Sequence, residues 1–293
     1  MATSELPLPT SRVDLHMHST ASDGHLSPAA VAGRAADRGV ELMALTDHDT
    51  LDGIAEAQAT AAHRGIDCLP GIELSARWAR GVVHIVGLGV DPGHETLIDG
   101  VARQKLAREQ RAARMADQLE RIGAGGIAAR ITEIARGVPG RAHFARVLVE
   151  QGLSPSVQAA FERYLKRGRP GYAPVEWAGL EAVVAWIHAA GGVAVFAHPL
   201  RYGLSRGALR AAIQAFVAAG GQAIEVSNGG GGRDDHAAAT ALARRFGLCG
   251  SLGSDFHDPD FPWIEIGRLE PVPPDIPPVW ASLGFPGIER SHG

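Results

Sequence analysis

Cysteine, lysine and long apolar runs are all scarce in this chain. Its 293 residues include two cysteines, Cys68 and Cys249, which are too few for a disulfide framework and lie in apolar, strand-like runs. We therefore expect two buried free thiols and a reducing, cytoplasmic location. No apolar run approaches the roughly 18 residues that a membrane helix needs. Residues 1–11 lack the basic start and apolar core of a signal peptide, so we expect neither a leader nor a membrane partner.

Positive charge is scarce overall but concentrated in one segment. The formal net charge is −4, which gives no general nucleic-acid footprint, and we expect no stable DNA partner. Residues 101–170 hold 14 Lys and Arg against 6 Asp and Glu, a net of +8, which leaves 14 against 26, or −12, for the rest. An acidic body with a basic segment indicates a metal centre facing an anion-binding part. Solvated arginines on a helical segment would give the same pattern.

Short apolar runs alternate with helical patterns along most of the chain. Near-continuous apolar strands are typical of a parallel sheet covered by helices. Seven such strands indicate an α/β fold in the form of a distorted (β/α)7 barrel, related to the eight-stranded one. We predict strands at 12–16, 41–46, 66–72, 82–89, 193–197, 223–227 and 248–253, and helices at 28–38, 50–64, 181–190, 205–219 and 233–246.

The strand–helix alternation stops between residues 91 and 179, where the sequence is helical and rich in arginine. We interpret this segment as a helical cap inserted over the strand ends, with a barrel formed by residues 1–90 and 180–293. The predicted helices of the cap are 95–122, 127–136, 141–151 and 155–167.

Residue types that bind metals recur where the predicted strands end. His16 and His18 follow the first strand at a spacing of two, which puts both imidazoles on one face of an extended chain. The C-terminal strand ends of an α/β barrel meet at one mouth, where active sites lie. The other residues of this kind are Asp23, His48, Glu73, His198, Asp255 and His257.

His84 lies inside its predicted strand rather than at its end. The segment Trp78-Ala79-Arg80-Gly81 indicates a tight turn, and an antiparallel hairpin around it would place His84 opposite Glu73, in the same mouth.

Each of these residues alone has a plain structural explanation. Asp23 fits a Ser-Asp-Gly turn, and Asp47 and Asp49 fit a helix cap. Together, however, six of the thirteen histidines and three carboxylates converge on one predicted barrel mouth, which indicates a metal centre.

Nine donors exceed the coordination of one ion, so we expect two or three divalent ions with Glu73 as a bridging carboxylate. Nitrogen and oxygen ligands suit manganese, which we favour, as well as iron or zinc. Two ions roughly 3.5–4 Å apart would lower the pKa of a bridging water, whose hydroxide could then act as the nucleophile. Asp255 or His257 could assist proton transfer, and Asp47 and Asp49 could orient the imidazoles.

Five motifs together resemble the polymerase and histidinol phosphatase (PHP) family. They are Asp14-Leu15-His16-Met17-His18-Ser19, Thr46-Asp47-His48-Asp49, Gly71-Ile72-Glu73, Ala197-His198-Pro199 and Gly253-Ser254-Asp255-Phe256-His257. The resemblance implies a distorted seven-stranded barrel with a trinuclear site. It assigns His16, His18, Glu73 and Asp255 to one ion, Glu73, His84 and His198 to a second, and Asp23, His48 and His257 to a third.

Asp23 departs from the family pattern, because many members have histidine there. The departure resembles a branch of bacterial phosphoesterases that act on nucleoside 3′,5′-bisphosphates and short RNA 5′ ends. The resemblance therefore implies hydrolysis of a phosphate monoester, above all the 3′-phosphate of a substrate such as 3′-phosphoadenosine 5′-phosphate. A 5′→3′ exoribonuclease acting on short 5′-phosphorylated RNA and a histidinol phosphatase are the alternatives.

Two further hypotheses come from other classes. A non-catalytic PHP module would be expected to lose ligands, whereas all nine are present. A metal amidohydrolase usually has a lysine ligand at a late strand end, whereas the two lysines of this chain, Lys105 and Lys166, both lie in the predicted cap.

The cap is predicted to hold the phosphate that is not cleaved. The segment Gly140-Arg141-Ala142-His143-Phe144 opens a predicted helix, whose N-terminus offers free N–H groups to an anion. Arg141 and His143 would bind the phosphate there, with Arg111 and Arg114 as further candidates. Each arginine could equally be a solvated surface residue.

Overall fold

The computed structural model describes residues 11–79, 81–286 and 288. Residues 1–10 lie outside this part of the chain, and with them most of the segment in which no signal peptide is expected. Among the described residues, no helix combines the length and the apolar character needed to cross a bilayer.

Seven strands form one sheet in which every strand neighbours the next along the chain. They are β1 (Val13–Asp14), β2 (Leu42–Leu45), β3 (Asp67–Trp78), β4 (Gly81–Leu88), β5 (Val193–Phe196), β6 (Ala223–Asn228) and β7 (Cys249–Gly253). Beyond the last strand the sheet returns to the first, because the Leu15 N–H donates to the Leu252 carbonyl at 2.9 Å and Met17 pairs with Phe256. The sheet is therefore a nearly closed barrel, which confirms the predicted fold class.

Helices cover the outside of this barrel and form the segment between β4 and β5. The first two and the last four are α1 (Pro28–Asp37), α2 (Ile54–Arg64), α7 (Leu180–Ala189), α8 (Arg206–Ala218), α9 (Arg233–Phe246) and α10 (Val279–Ser282). Between β4 and β5 lie α3 (Glu95–Glu120), α4 (Ile127–Ile134), α5 (Arg141–Glu150) and α6 (Val157–Ala160), which continues as a π-helical turn at Phe161–Leu165.

The expectation of a parallel sheet is wrong for one strand. β4 runs antiparallel to both β3 and β5, whereas the other neighbouring pairs are parallel. Only two residues separate β3 from β4, and so short a connection can join only antiparallel strands. The hairpin predicted from the turn sequence is therefore confirmed.

The register of that hairpin differs from the predicted one. His84 pairs with Ser75, and Glu73 pairs with Val86, so the predicted pairing of Glu73 with His84 is wrong by two residues. A shift of two keeps a side chain on the same face of the strand, because side chains alternate with a period of two. His84 and Glu73 therefore still meet, as diagonal neighbours.

Two separate apolar clusters matter for the placement of the site. The larger one fills the barrel and the layer beneath α7 and α8, and it includes Leu97 and Val101 from the first turns of α3. The second cluster is drawn from residues 112–173, with Phe144 and Leu148 completely buried. We propose that residues 91–179 act as a cap whose long first helix begins on the barrel core and ends in a core of its own.

Two local expectations fail for identifiable reasons. α2 begins at Ile54 instead of residue 50, because Asp49 has a positive φ of 50° and its carboxylate is bonded to Ser75 on β3. Cys68 and Cys249 are free thiols but only half-buried, since both lie at strand positions that are not fully covered.

Candidate metal centre

Glu73 lies at the centre of a cluster of histidines, and its two oxygens face different groups. Oε1 is 3.0 Å from His84 Nδ1 and 3.0 Å from His198 Nε2. Oε2 is 3.4 Å from His16 Nε2 and 3.3 Å from His18 Nε2. β3 presents this carboxylate, β4 presents His84, and the segments after β1 and β5 present the other three imidazoles. A carboxylate with one oxygen toward each of two donor groups can bridge two cations.

A further donor group lies beside the first. The Nε2 atom of His257 is 3.3 Å from the Asp23 carboxylate, and the His18 and His257 rings stack with centroids 4.0 Å apart. Among the described residues, four sets have ligand atoms within 4.8 Å of one another: His18, Asp23, His48 and His257; His16, His18 and Asp255; His16, Glu73 and His198; His48, Glu73 and His84. All nine predicted ligands belong to at least one set.

Several ligand atoms of this cluster are buried without a hydrogen-bond partner, which leaves their lone pairs free to bind a metal ion. His48 Nδ1 lies 2.7 Å from Glu73 Oε2, yet both atoms are buried and neither has a hydrogen-bond partner. Asp23 Oδ1 is buried and unpartnered as well, and His16 Nε2 faces His18 Nε2 at 3.1 Å. Buried lone pairs left without donors are unfavourable, and divalent cations would satisfy them. The donor set therefore fits a multinuclear site with nitrogen and oxygen ligands.

Charges and burial within the cluster favour the metal-binding form of some donors but not of all. Burial and the neighbouring charge of His257 lower the pKa of His18 to about 3. Burial also lowers the pKa of His84 to about 4, against the opposing pull of Glu73. For Asp23, burial acts upward, but His257 and His48 hold the carboxyl pKa well below its usual range. Neutral imidazoles and ionised carboxylates are the ligand forms. Although burial acts in the opposite direction, nearby carboxylates raise the pKa values of His16, His198 and His257, so these three would release a proton when a cation binds.

Glu225 orients two of these histidines, and the sequence analysis did not single it out. Its Oε1 accepts a hydrogen bond from His16 Nδ1 at 2.5 Å, which directs Nε2 of that ring toward the cluster. Its Oε2 accepts the His198 N–H at 2.7 Å. Glu225 is completely buried in the middle of β6. A lone carboxylate between the apolar residues Ile224 and Val226 was the available signal.

One large cavity opens from the metal cluster toward the cap. Its volume is about 930 Å³. The cluster lines one wall through Asp23, His48, His84, His198, Asp255 and His257, and the arginines that line it are Arg108, Arg111, Arg141, Arg146 and Arg201. Arg111 Nε is buried without a hydrogen-bond partner, and burial together with the charges of Arg141 and Arg108 lowers the Arg111 pKa to about 9. Cations crowded in this way favour a bound anion.

The geometry agrees with the comparisons to known proteins. The sequence model of the PHP domain matches residues 14–173, which include β1 to β4 and most of the helical segment. The chain belongs to the PHP domain family. The resemblance carried by the five motifs is thus confirmed.

Relatives of this PHP protein match it over nearly its whole length. It is 45% identical to the 3′,5′-nucleoside bisphosphate phosphatase of Chromobacterium violaceum, over 92% of this chain and 96% of that one. It is 41% identical to the 5′-3′ exoribonuclease of Haemophilus influenzae, over 92% and 98% of the two chains. A solved structure of an amidohydrolase from Chromobacterium violaceum, with bound sulfate and no metal, has a TM-score of 0.89 and 44% identity, over 94% of this chain and 96% of that one.

Of the four cap residues that are predicted to bind phosphate, two line the cavity and two do not. Arg111 and Arg141 line the cavity of the PHP site. His143 is buried, and its Nδ1 accepts the Gly140 N–H at 3.0 Å, so it caps the first turn of α5 and is not part of the described lining. Arg114 is exposed, donates to the Pro174 carbonyl at 2.9 Å and is likewise outside the described lining.

Three other arginines of the PHP cavity were missed. Arg108 precedes Arg111 by one helical turn, and Arg201 follows His198 in the loop after β5, so spacing alone could have indicated both. Arg201 Nη1 donates to Asp255 Oδ2 at 2.8 Å. Arg146 of α5 donates to the Asp23 carbonyl at 2.9 Å. The cap thereby contacts the loop that carries a predicted ligand.

Asp47 and Asp49 have partners other than the predicted imidazoles. Asp47 accepts hydrogen bonds from Ser19 and from the Ser22 hydroxyl at 2.6 Å, which holds the loop after β1. Asp49 accepts the Ser75 N–H at 2.8 Å and Arg108 Nε at 2.5 Å. The first carboxylate orders a loop, and the second connects the barrel to α3.

The backbone of this centre is unusual at three positions. Among the described residues, the non-glycine residues with positive φ are Asp49, His198 and Asp255, at 50°, 27° and 55°. L-residues rarely adopt this region, which costs on the order of 1–3 kcal/mol at each position. All three lie in the segments that form the centre.

Proposed function

We propose that this PHP protein is a metal-dependent phosphoesterase that hydrolyses the 3′-phosphate of nucleoside 3′,5′-bisphosphates such as 3′-phosphoadenosine 5′-phosphate. The observation that carries the proposal is that one cavity joins a multinuclear donor cluster to a group of crowded arginines. A substrate with two phosphates fits both ends, one at the cluster and the other at the arginines. The similarity to a bisphosphate phosphatase supports the same substrate.

The roles of the individual residues follow from their positions. His16, His18, Glu73 and Asp255 would hold one ion, Glu73, His84 and His198 a second, and Asp23, His48 and His257 a third. Divalent ions, of which we favour manganese over iron or zinc, supply when bound a water of lowered pKa and positive charge at the phosphoryl oxygens.

The chain itself binds, orients and exchanges protons. Arg111 and Arg141 hold the phosphate that is not cleaved, and the cap over the cavity restricts access of bulk water. Asp255 and His257 line the cavity wall of the cluster. His257 could pass a proton to the leaving oxygen when it is not bound to an ion. Against the effect of burial, His257 and His18 hold the pKa of Asp255 well below its usual range, so Asp255 would accept a proton and not donate one. Among the described residues, the serine that lines the cavity is Ser75, and its hydroxyl donates to Asp49 Oδ2 at 3.0 Å, so we propose direct attack by water without a covalent intermediate.

A 5′→3′ exoribonuclease activity on short 5′-phosphorylated RNA is the second candidate. At about 930 Å³ the cavity is near the upper end of the roughly 300–1,000 Å³ of ordinary ligand pockets, which leaves room beyond one nucleotide. The exoribonuclease relative supports this candidate.

The two other substrates suit the cavity less well. Histidinol phosphate has a single phosphate and would leave Arg111 and Arg141 without a bound phosphate. An amidohydrolase lysine ligand has no counterpart among the described residues that line the cavity, because Lys105 pairs with Asp52 and Lys166 with Glu162.

Product identity gives the sharpest test. The protein purified without chelator should contain two or three transition-metal ions per chain, and with 3′-phosphoadenosine 5′-phosphate it should release phosphate and leave adenosine 5′-phosphate. Glu73→Gln should abolish turnover, because the amide has a single oxygen and no negative charge with which to bridge two cations. Formation of adenosine 3′-phosphate instead, or full activity with one ion or none, would contradict the proposal.

A further inference from the structure

Trp263 is the most exposed of the large hydrophobic side chains in the described chain. Its exposed fraction is 60%, although burial of a large apolar side chain is worth roughly 1.5–3 kcal/mol. It lies six residues beyond His257, in the loop that leaves the metal cluster. Exposed apolar surface beside an active site indicates a binding surface.

The loop that carries Trp263 has a defined conformation. The Phe261 N–H donates to the Asp258 carbonyl at 3.2 Å, and the Ile264 N–H donates to the Phe261 carbonyl at 2.9 Å. Ile264 packs against the apolar cluster that contains Met17 and Phe256. The indole is therefore held outward on an anchored turn.

Phe261 connects the indole to the cavity. Phe261 lines the cavity itself, and its ring centroid is 5.2 Å from that of Trp263, with the two rings tilted by 51°. We call these two residues the aromatic rim. The aromatic rim therefore continues the wall of the cavity outward, from Phe261 to the exposed Trp263.

The guanidinium of Arg201 lies beside the aromatic rim. A Cβ placed on Gly230 would be 3.5 Å from Arg201 Nη2 and 3.8 Å from Trp263 Cδ1, so the guanidinium and the indole lie against the same glycine. Arg201 also lines the cavity. Aromatic faces next to an arginine are the combination with which proteins hold single-stranded nucleic acid, since every base can stack and every linkage is anionic.

We propose that, when the substrate is a single-stranded oligoribonucleotide, the aromatic rim stacks the base of the nucleotide that follows the one bound at the metal centre. This inference rests on the second candidate, the exoribonuclease activity, and names a substrate contact for it. The pair is too small for a stable protein interface, which buries about 1,200–2,000 Å², and its position at the cavity edge matches the exit of a strand.

The experiment compares substrates of different length in three variants. KM and kcat are measured for 3′-phosphoadenosine 5′-phosphate and for 5′-phosphorylated tri- and pentaribonucleotides. Trp263→Ala should raise the KM ratio of oligonucleotide to mononucleotide about 5- to 150-fold, with kcat little changed. Trp263→Phe should retain a ratio close to that of the wild type, because a phenyl ring still stacks. Leu106→Ala, which removes another exposed side chain outside the described cavity lining, should leave the ratio unchanged.

The possible failures are distinguishable. If Trp263→Ala changes KM for both substrates equally, or for neither, the aromatic rim does not bind a base. Wild-type turnover of the mononucleotide without turnover of any oligonucleotide would also overturn the inference, while the proposed phosphatase function would stand. No turnover of either substrate by the metal-loaded wild type would instead contradict the proposed function.

Discussion

The orientation of His16 depends on a single carboxylate on β6, which β7 separates from β1. Glu225 holds the Nδ1 atom of His16 and the backbone N–H of His198, so it links β1 to β5 through β6. Partners of this kind typically account for 10- to 100-fold in metal affinity.

We expect Glu225→Gln to weaken metal binding about 10- to 100-fold, because the amide loses the charge that holds the His16 Nδ1–H. Titration of the metal-free protein with Mn²⁺ measures the affinity, and activity should return at high metal concentration. Glu265→Gln is the matched control, since Glu265 pairs with Arg34 away from the cluster. Equal affinities of Glu225→Gln and wild type would assign Glu225 a purely structural role.

Asp14 gives the folding stability a definite pH dependence. Burial raises the pKa of this carboxyl from 3.8 to about 6, although the Gly267 and Ser254 N–H groups act in the opposite direction. Between those two values the folded state binds more protons than the unfolded state, so the free energy of unfolding falls as pH rises from about 4 to 6. Above pH 6 this contribution is constant.

Asp14→Asn should remove that dependence. Between pH 4 and pH 6, the free energy of unfolding of the wild type should fall by up to about 3 kcal/mol relative to that of the variant. This figure is the shift of roughly two pKa units multiplied by 1.36 kcal/mol per unit. Urea unfolding of both proteins in chelator at several pH values measures the difference. Two stability curves that run parallel over this interval would contradict the assignment.

At the scale of elements, most strands and helices could be predicted because their apolar periodicity is strong. α9 has the predicted bounds, Arg233–Phe246, and Pro28 opens α1 as expected from its capping serine. Seven of the nine predicted ligands converge because strand ends meet at one mouth, whereas Glu73 and His84 reach it from the middle of the β3–β4 hairpin. The β3–β4 register and the start of α2 could not be predicted, since each depends on tertiary contacts of single side chains. Glu225 was missed because it lies inside a strand.

The cap helices α3 and α5 carry four of the arginines that line the cavity. The contribution of Arg141 to substrate binding can be measured. Arg141→Ala should raise KM for 3′-phosphoadenosine 5′-phosphate about 10- to 150-fold, the range for a lost charged hydrogen bond of roughly 1.5–3 kcal/mol. A small monophosphate ester, which does not reach the cap, should be much less affected. Arg114→Ala is the control, because that arginine faces solvent. Equal effects on both substrates would show that Arg141 is a surface arginine that does not bind the uncleaved phosphate.

On the scale of the whole molecule, the barrel supplies the metal donors and Arg201, the cap supplies the other four arginines, and the cavity lies between the two parts. The uneven charge of the sequence therefore reflects two facing walls. A buried contact joins the two parts: Arg108 Nε bonds Asp49 at 2.5 Å, and its guanidinium lies 5.2 Å from the Trp177 ring centroid.

Removal of that contact should destabilise the protein strongly. Arg108→Met leaves the Asp49 charge buried, which typically costs about 3–5 kcal/mol. Lys105→Met, one turn earlier on the same helix, breaks only the exposed pair with Asp52 and should cost about 0–1 kcal/mol. The free energy of unfolding in urea compares the two. Similar losses in both variants would show that the buried pair does not hold the cap.

The left-handed backbone at Asp49, His198 and Asp255 has a consequence for attempts to make this protein more heat-resistant. Glycine adopts such a conformation without a steric penalty, so it would relax the backbone at His198 and Asp255, which are both predicted ligands. At Asp49 it would also break the buried pair with Arg108, and the loss of that pair outweighs the relief of strain. A selection for thermal tolerance alone would therefore tend to accumulate changes in the catalytic centre, and only a selection that also scores turnover would keep the centre intact.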